Sequence, residues 1–350
     1  MPAVGLCEAQ RQESSTPAKK MQPSMKRLAL AILGLAALSV LAEGVIRLEM
    51  PQRQSGHLFA QLFALALTLG AFTALTDSRV VKWLRHQAAQ SARNAAALPL
   101  LLLLPYFIEA FGARAFSWQG LGKLTAYILV PTLLLLPDRL RVATRVGWRD
   151  LAAMLALGVP VPAGWLHGIW FAFGGAPFFR PLYSVCAGGY AFLAVRNLQD
   201  VGYRLLLRKR DFIHGLANFA GFAIVGIPLG YVLHFIHFHT GHASMAGFAV
   251  DFIGIYITIA IPEEFLFRGI LQNFLEKSFE GQGRGRKALI IASVIFGASH
   301  FHHPPVPNWR YCIMATLAGL FYGNAYRERR RLSASAFTHA LVDATWHFWF

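Results

Sequence analysis

Negative charge is scarce in this sequence, and charge of either sign is uncommon. Only 14% of the 350 residues are charged, and 17 acidic residues stand against 33 lysines and arginines, for a formal net charge of +16. Hydrophobic residues make up 55% of the chain. No polar stretch between the apolar runs is long enough for a separate soluble domain. The composition therefore excludes a water-soluble globular protein and indicates a multi-pass membrane protein.

Cysteine is also rare, with only Cys7, Cys186 and Cys312 in the chain. Their odd number and their lack of motif spacing argue against a disulfide framework and against a cysteine metal site. The excess of positive charge does not indicate nucleic acid, because the lysines and arginines form short clusters between apolar runs instead of one basic face. We therefore expect the lipid bilayer, and no nucleic acid, as a partner.

Long apolar runs dominate the rest of the sequence. A hydrocarbon core of ~30 Å is crossed by ~20 helical residues, and many runs approach that length. The first, at 28–42, is either a cleaved signal peptide or an uncleaved span, and we favour the span. Further segments lie near 57–76, 94–113, 119–137, 151–173, 181–197, 212–238, 245–275, 287–303, 309–326 and 332–350. The sequence thus predicts an all-α, polytopic transmembrane helical bundle of about 10–11 spans.

The loops between these segments indicate how the chain is oriented. Lysine and arginine clusters precede the first segment and recur on every second loop, near 79–86, 138–145, 204–210, 283–287 and 327–331. Cytoplasmic loops of membrane proteins are enriched in these two residues. The pattern predicts a cytoplasmic N-terminus and a C-terminus on the opposite side of the membrane.

Three ionisable residues interrupt the apolar stretch IPEEFLFRGILQNF at 261–274. Glu264 and Arg268 are four residues apart, so on a helix they share a face and can form an ion pair. Glu263 points ~100° away from that pair and lacks its partner. An ionisable residue in a span is a candidate functional residue by default. A structural Glu–Arg pair at an interfacial helix end is the alternative.

Two later segments carry further polar residues at similar predicted depths. The stretch FGASH places Phe296 and His300 one helical turn apart, and FTHALVDATWH repeats His339, Asp343 and His347 on one helix face. From the cytoplasmic ends of their segments, His300 and His339 lie ~20 Å and ~11 Å deep, and Glu263 ~18 Å. Three separate segments therefore bring a glutamate and two histidines to one region of the membrane.

These three stretches together resemble a known family. EEFLFR at 263–268, FGASH at 296–300 and HALVD at 339–343 are similar, in order and spacing, to the motifs E-E-x-x-x-R, F-x-x-x-H and H-x-x-x-N/D. Those motifs belong to the CPBP family, the CAAX-protease and bacteriocin-processing group of intramembrane endopeptidases, often called Abi. The resemblance covers about 245–350.

The resemblance implies glutamate-dependent hydrolysis of peptide bonds inside the membrane. By similarity, Glu263 with His300 would activate the attacking water, while Glu264 and Arg268 would hold the site together. This division agrees with the residue pattern, in which Glu263 is the unpaired carboxylate. The mechanism requires no cofactor. A divalent metal such as zinc is an alternative without motif support, because no H-E-x-x-H string occurs.

The last motif departs from the commoner family pattern. By similarity, His339 and the residue four positions later stabilise the oxyanion, and many members carry asparagine at that later position. This chain carries Asp343, and an ionised carboxylate cannot donate a hydrogen bond to an oxyanion. Asp343 is therefore either protonated or orients His339 and leaves the donor role to the imidazole.

Two other functions stay open at this stage. One is a histidine-rich membrane metalloenzyme, because imidazole is a common metal ligand and histidines cluster at two loops. These histidines are His234, His237, His239, His242, His300, His302 and His303. The second is a non-catalytic binding or immunity protein of the same fold. We favour the protease, because neither alternative accounts for an unpaired glutamate within the membrane.

The chain is accordingly predicted to have three parts. Residues 1–27 form a disordered cytoplasmic tail, residues 28–240 an N-terminal transmembrane scaffold of unknown role, and residues 241–350 the CPBP-type protease core. The predicted substrate is a membrane-embedded or lipidated peptide or protein, because a segment must be unwound within the membrane to be cut there. Use of a prenylated CAAX substrate is implied by the family name alone.

Overall fold

The fold is built entirely from helices in the part of the chain that is described. The computed structural model describes residues 56–170, 179–239 and 245–350, and contains no strand in these ranges. The predicted tail at 1–27 and the first apolar segment at 28–42 lie outside the described residues. The predicted all-α, polytopic membrane bundle is confirmed.

Within the described ranges eleven helical stretches follow one another, numbered here in chain order. They are α1 Gly56–Ala74, α2 Ser78–Gln90, α3 Ala92–Gly112, α4 Trp118–Asp138, α5 Trp148–Gly158, α6 Phe179–Gly188, α7 Lys209–Val232, α8 Met245–Ser278, α9 Arg284–Ala298, α10 Trp309–Arg329 and α11 Leu332–Trp349. A π-helical stretch, Gly189–Val195, continues α6.

Fewer helices than predicted are long and apolar enough to cross a membrane unaided. Among the described residues four qualify, α3, α4, α7 and α8, and the pair formed by α1 and α2, which is bent by 89°, could be a fifth. The segment predicted near 151–173 is not a continuous span, because α5 ends at Gly158. Pro160 and Pro162 follow directly, and proline cannot continue the hydrogen-bond ladder of a helix.

Helices α7 to α11 form the half of the bundle that holds the predicted motifs. Helix α10 packs against α7, α9 and α11, and α8 packs along α11. Close approach of α9 and α10 depends on glycine: a Cβ at Gly297 would lie 1.8 Å from the hydroxyl of Thr316. Small residues allow membrane helices to approach in this way.

Helix α8 is not regular along its 34 residues. Two stretches, Tyr256–Ala260 and Phe265–Gln272, are π-helical, with backbone bonds from residue i to i+5. Between them lies a single α-helical turn, Ile261–Glu264, which carries both glutamates. π-helical stretches inside α-helices occur frequently at functional sites.

The N-terminal half packs directly on α8. Phe192 and Tyr203 make edge-on contacts with Phe274 and Phe265, with ring centroids 6.2 and 5.6 Å apart. Aromatic pairs favour this geometry. Helix α7, which falls in the segment predicted to be scaffold, packs on α10 and α11. The division at residue 240 and the orientation in the membrane stay predictions.

Candidate active site

The predicted ion pair of Glu264 and Arg268 is present and lies fully inside the protein. Arg268 Nε is 3.2 Å from Glu264 Oε2, and both side chains are 0% exposed. Glu264 Oε2 also accepts a hydrogen bond from the hydroxyl of Ser335 on α11. Removing one member of a buried pair leaves an uncompensated charge, which costs about 3–5 kcal/mol. Glu264 is therefore held by partners on its own helix, α8, and on α11.

Arg268 is held on its other sides by α9 and α10. Its Nη2 donates to the carbonyl oxygen of Gly319 over 3.2 Å. The guanidinium carbon lies 4.8 Å from the ring centre of Phe296 and 5.9 Å from that of Tyr322. Desolvated cation–π contacts of this kind stabilise a cation by about 2 kcal/mol. Phe296, the first residue of the second motif, thus supports the buried guanidinium.

His339 on α11 links the buried pair to the other acids. Its Nδ1 lies 2.9 Å from Glu264 Oε1, and its Nε2 lies 3.3 Å from Asp343 Oδ2 and 3.9 Å from Glu263 Oε2. The ring stacks on Tyr322 with centroids 4.4 Å apart. A carboxylate can only accept, so both close contacts are hydrogen bonds only when the imidazole carries two N–H groups.

Glu263 differs from its neighbour in exposure. Its side chain is 36% exposed, compared with 0% for Glu264, and the side chain of Asp343 is 27% exposed. Glu263 has no direct contact with Arg268 of the kind that Glu264 has. Adjacent glutamates on one helical turn therefore occupy two environments, one locked by partners and one facing open space.

His300 lies just beyond the C-terminal end of α9 and is almost fully buried. Its Nδ1 is 2.8 Å from the carbonyl oxygen of Phe296. A carbonyl oxygen accepts but does not donate, so Nδ1 carries the proton and Nε2 is left as the acceptor of the ring. The imidazole also contacts Tyr311, with ring centroids 4.7 Å apart.

A cavity of about 530 Å³ joins these residues. Glu263, His300, His339 and Asp343 line it, while Glu264 and Arg268 lie behind its wall. The structure therefore brings together all six residues that the sequence predicts. Irregular backbone at membrane depth is tolerated where it lines a cavity of this kind.

Several residues around the site were not predicted from the sequence. Ser335 and Tyr322 contact Glu264 and His339, and Tyr311 lines the cavity beside His300. Helix α7 contributes an apolar wall, which consists of Phe219, Phe222, Ala223, Gly226 and Ile227. A serine, a tyrosine or an apolar residue in a hydrophobic helix carries no signal of its own, so only packing identifies these contributions.

The arrangement has the parts needed to attack a peptide carbonyl with water. An accessible carboxylate and an imidazole with a free acceptor nitrogen can take protons from water, and N–H groups can stabilise negative charge on oxygen.

Among the described residues, no three His, Cys, Asp or Glu side chains have the geometry of a metal site. His242, one of the clustered histidines considered as metal ligands, lies outside the described residues.

These observations define the class of protein: a polytopic helical membrane protein with an ionisable site facing a cavity between its helices. Comparison with known families narrows this class. Residues 245–345 match the family model described as Rce1-like, type II CAAX prenyl endopeptidase.

The matched segment is 101 of the 350 residues and contains all six predicted site residues. It confirms the resemblance to the CPBP family over that segment, and it supports endopeptidase activity of the CAAX type. No curated protein and no solved structure matches the chain.

Proposed function

We propose that this protein is an intramembrane endopeptidase that hydrolyses peptide bonds of membrane-associated substrates with glutamate-activated water. One observation carries the proposal: of two adjacent glutamates, Glu264 is locked by partners on two helices, while Glu263 faces the cavity. A general base must reach a water molecule, and a carboxylate already engaged with a guanidinium and a hydroxyl is poorly suited to that role.

In the proposed reaction, Glu263 accepts a proton from water as the oxygen attacks the scissile carbonyl. His300 accepts the second hydrogen bond of that water through Nε2 and so orients it. The proton on Glu263 then passes to the leaving amine as the carbon–nitrogen bond breaks. The products are a new carboxyl group and a free amine, and Glu263 returns to its starting state.

The remaining residues have supporting roles in this proposal. Arg268 holds Glu264, and Glu264 in turn holds His339 through Nδ1. Asp343 contacts Nε2 of the same ring and orients it, and in the proposal this N–H turns from Asp343 to the oxyanion as the negative charge develops. Such a role accounts for the aspartate where asparagine is commoner in the family.

For the substrate, we propose a membrane-anchored protein, and a prenylated CAAX protein as the first candidate. The family description supports this choice, since it names prenyl endopeptidases. The apolar wall on α7 is compatible with a lipid chain beside the peptide. The cytoplasmic N-terminus predicted from the basic loops remains part of the proposal.

The test is cleavage of membrane-anchored peptides by the purified protein, with and without a strong chelator. We expect Glu263→Gln to lower kcat by about 10²–10⁴-fold, the usual contribution of a general base. His300→Ala and His339→Ala should also lose most activity. Glu280→Gln is a matched control, because Glu280 is 83% exposed on a loop, where it pairs with Arg145. The chelator should have no effect.

Other results would redirect the interpretation. Full activity in Glu263→Gln would contradict the proposed mechanism. Loss of activity on chelation, restored by added zinc, would favour a metalloenzyme. Binding of the peptides without cleavage, by a wild-type protein whose thermal unfolding is cooperative, would favour the non-catalytic binding protein.

A further inference from the structure

A third carboxylate side chain lines the cavity, and the reaction proposed above does not use it. Asp251 lies on α8, six residues inside the start of the helix at Met245, and it is exposed. It lines the cavity together with Glu263. An ionisable residue inside a span is a candidate functional residue.

The backbone of α8 explains why Asp251 and Glu263 face the same cavity. Residues 12 apart on a regular α-helix point in directions about 120° apart, since each residue advances by about 100°. The π-helical stretch Tyr256–Ala260 lies between the two acids, and each of its residues advances by less than that. The cavity-lining residues of α8 accordingly recur at every fourth position: Asp251, Ile255, Ile259 and Glu263.

The charge of the cavity favours a positively charged group near Asp251. Asp251, Glu263 and Asp343 line the cavity, and no lysine or arginine of the described residues does so. Arg268 is behind the wall and is already paired with Glu264. His347, one turn after Asp343 on α11, lines the cavity as well. The α8 residues that line the cavity between Asp251 and Glu263 are apolar. A cation at the end of the cavity remote from Glu263 and Asp343 would therefore pair with Asp251.

The distance between Asp251 and Glu263 determines which substrate residue would carry such a cation. Twelve helical residues span about 18 Å, and the π-helical stretch shortens this slightly. An extended peptide advances about 3.3 Å per residue. A substrate segment with its scissile bond at Glu263 would therefore bring to Asp251 a side chain about five residues away.

We infer that Asp251 is a specificity-determining residue, whose carboxylate binds a lysine or arginine side chain of the substrate about five residues from the scissile bond. The inference rests on the proposed function. In this arrangement Asp251 selects and positions the substrate, and takes no part in the chemical step.

The test uses the full-length protein in vesicles of phosphatidylcholine, a lipid without net charge. The substrates are otherwise identical single-span peptides, in which one lysine is moved stepwise from six residues before the cleaved bond to six residues after it. Peptides with glutamine or glutamate at the same positions provide the references. The quantity compared is kcat/KM for each peptide.

We expect wild type to prefer lysine over glutamine by about fivefold at one position, about five residues from the bond, as for a partly exposed ion pair. Asp251→Asn should abolish the preference, Asp251→Glu should keep it, and Asp251→Lys should favour glutamate. Val250→Asn is the control, because Val250 is exposed on the same helix and does not line the cavity.

A lysine preference that survives in Asp251→Asn, or no positional preference in wild type, would overturn the inference while leaving the proposed protease intact. If wild type cleaves none of the peptides, the proposed function fails, and the role of Asp251 fails with it. Cleavage of the lysine peptides by Val250→Asn with the same positional preference and rates as wild type is the expected sign that a polar substitution on this helix leaves the chemistry untouched.

Discussion

At the scale of single residues, the main feature is a division of labour between two adjacent glutamates. The sequence suggests this division from spacing alone, because Glu264 is four residues before Arg268 and Glu263 is not. The spacing cannot show that Glu264 also binds His339 and Ser335 on α11. Those contacts depend on how α8 and α11 pack, and no local pattern encodes that packing.

Ser335 offers a test of this buried network. Ser335→Ala removes the hydroxyl that donates to Glu264 and leaves the pair with Arg268 in place. Losing one hydrogen bond to a charged group costs about 1.5–3 kcal/mol. We expect kcat/KM to fall by about tenfold through poorer positioning of His339, a smaller loss than in Glu263→Gln.

Ser333→Ala is the matched control for that experiment. Ser333 is equally buried, two residues earlier on α11, but its hydroxyl contacts Asp211 and not the site. It should lower the thermal midpoint by a similar amount and leave kcat/KM unchanged. Equal losses of activity in the two variants would mean that Ser335 acts only through stability.

At the scale of helices, the site depends on irregular backbone and on glycine. Apolar length predicts most helices of the bundle, including α7, α8, α10 and α11. It does not predict π-helical stretches, because their i to i+5 bonds leave no signature in hydrophobic periodicity. Apolar length also predicts too many spans, because it does not show where proline ends a helix early, as after Gly158 in α5.

Gly323 on α10 tests the tight packing around the guanidinium. A Cβ at this position would lie 2.4 Å from Leu289 and 2.6 Å from Gln272 Oε1. Gly323→Ala should therefore push α10 away from α8, destabilise the protein by about 1–3 kcal/mol and lower kcat by disturbing Arg268. Thermal unfolding in detergent and peptide cleavage measure the two effects.

A glycine-to-alanine substitution at an unpacked position of α8 should raise stability instead of lowering it. Gly254 lies on α8, and a Cβ there meets no atom within 4 Å. Alanine is favoured over glycine in a helix by about 1 kcal/mol. Gly254→Ala should keep full activity and raise the thermal midpoint slightly. A drop in stability like that of Gly323→Ala would show that packing is not the cause.

At the scale of the whole molecule, the N-terminal half is joined to the site-bearing half through a tight backbone contact. Gly202 has a φ of +69°, and its carbonyl accepts a hydrogen bond from the amide of Leu332 at the start of α11. The sequence predicts the membrane class and the three motifs, since composition and short spacings are local properties. It leaves this junction unpredicted, because more than a hundred residues separate its two sides.

Gly202→Ala should weaken that junction. A Cβ would lie 2.4 Å from the backbone oxygen of Arg330, which cannot rotate away. Gly168→Ala is the control, because Gly168 has a similar φ of +72° and no atom within 4 Å of its Cβ. We expect Gly202→Ala to be less stable than the control by about 1–3 kcal/mol, measured by thermal unfolding. If the two variants are equally stable, the loss of stability in Gly202→Ala comes from the positive φ alone and not from the contact with Arg330.

The contacts on both ring nitrogens of His339 have a consequence for the total charge of the site. With two N–H groups on the ring, Arg268 and His339 supply two positive charges against Glu263, Glu264 and Asp343, which leaves one negative charge. When Glu263 takes a proton from the attacking water in the proposed reaction, the negative charge moves to the oxyanion, and the sum is unchanged. The addition step therefore relocates charge over a few ångströms without creating a new net charge in the low-dielectric interior of a membrane.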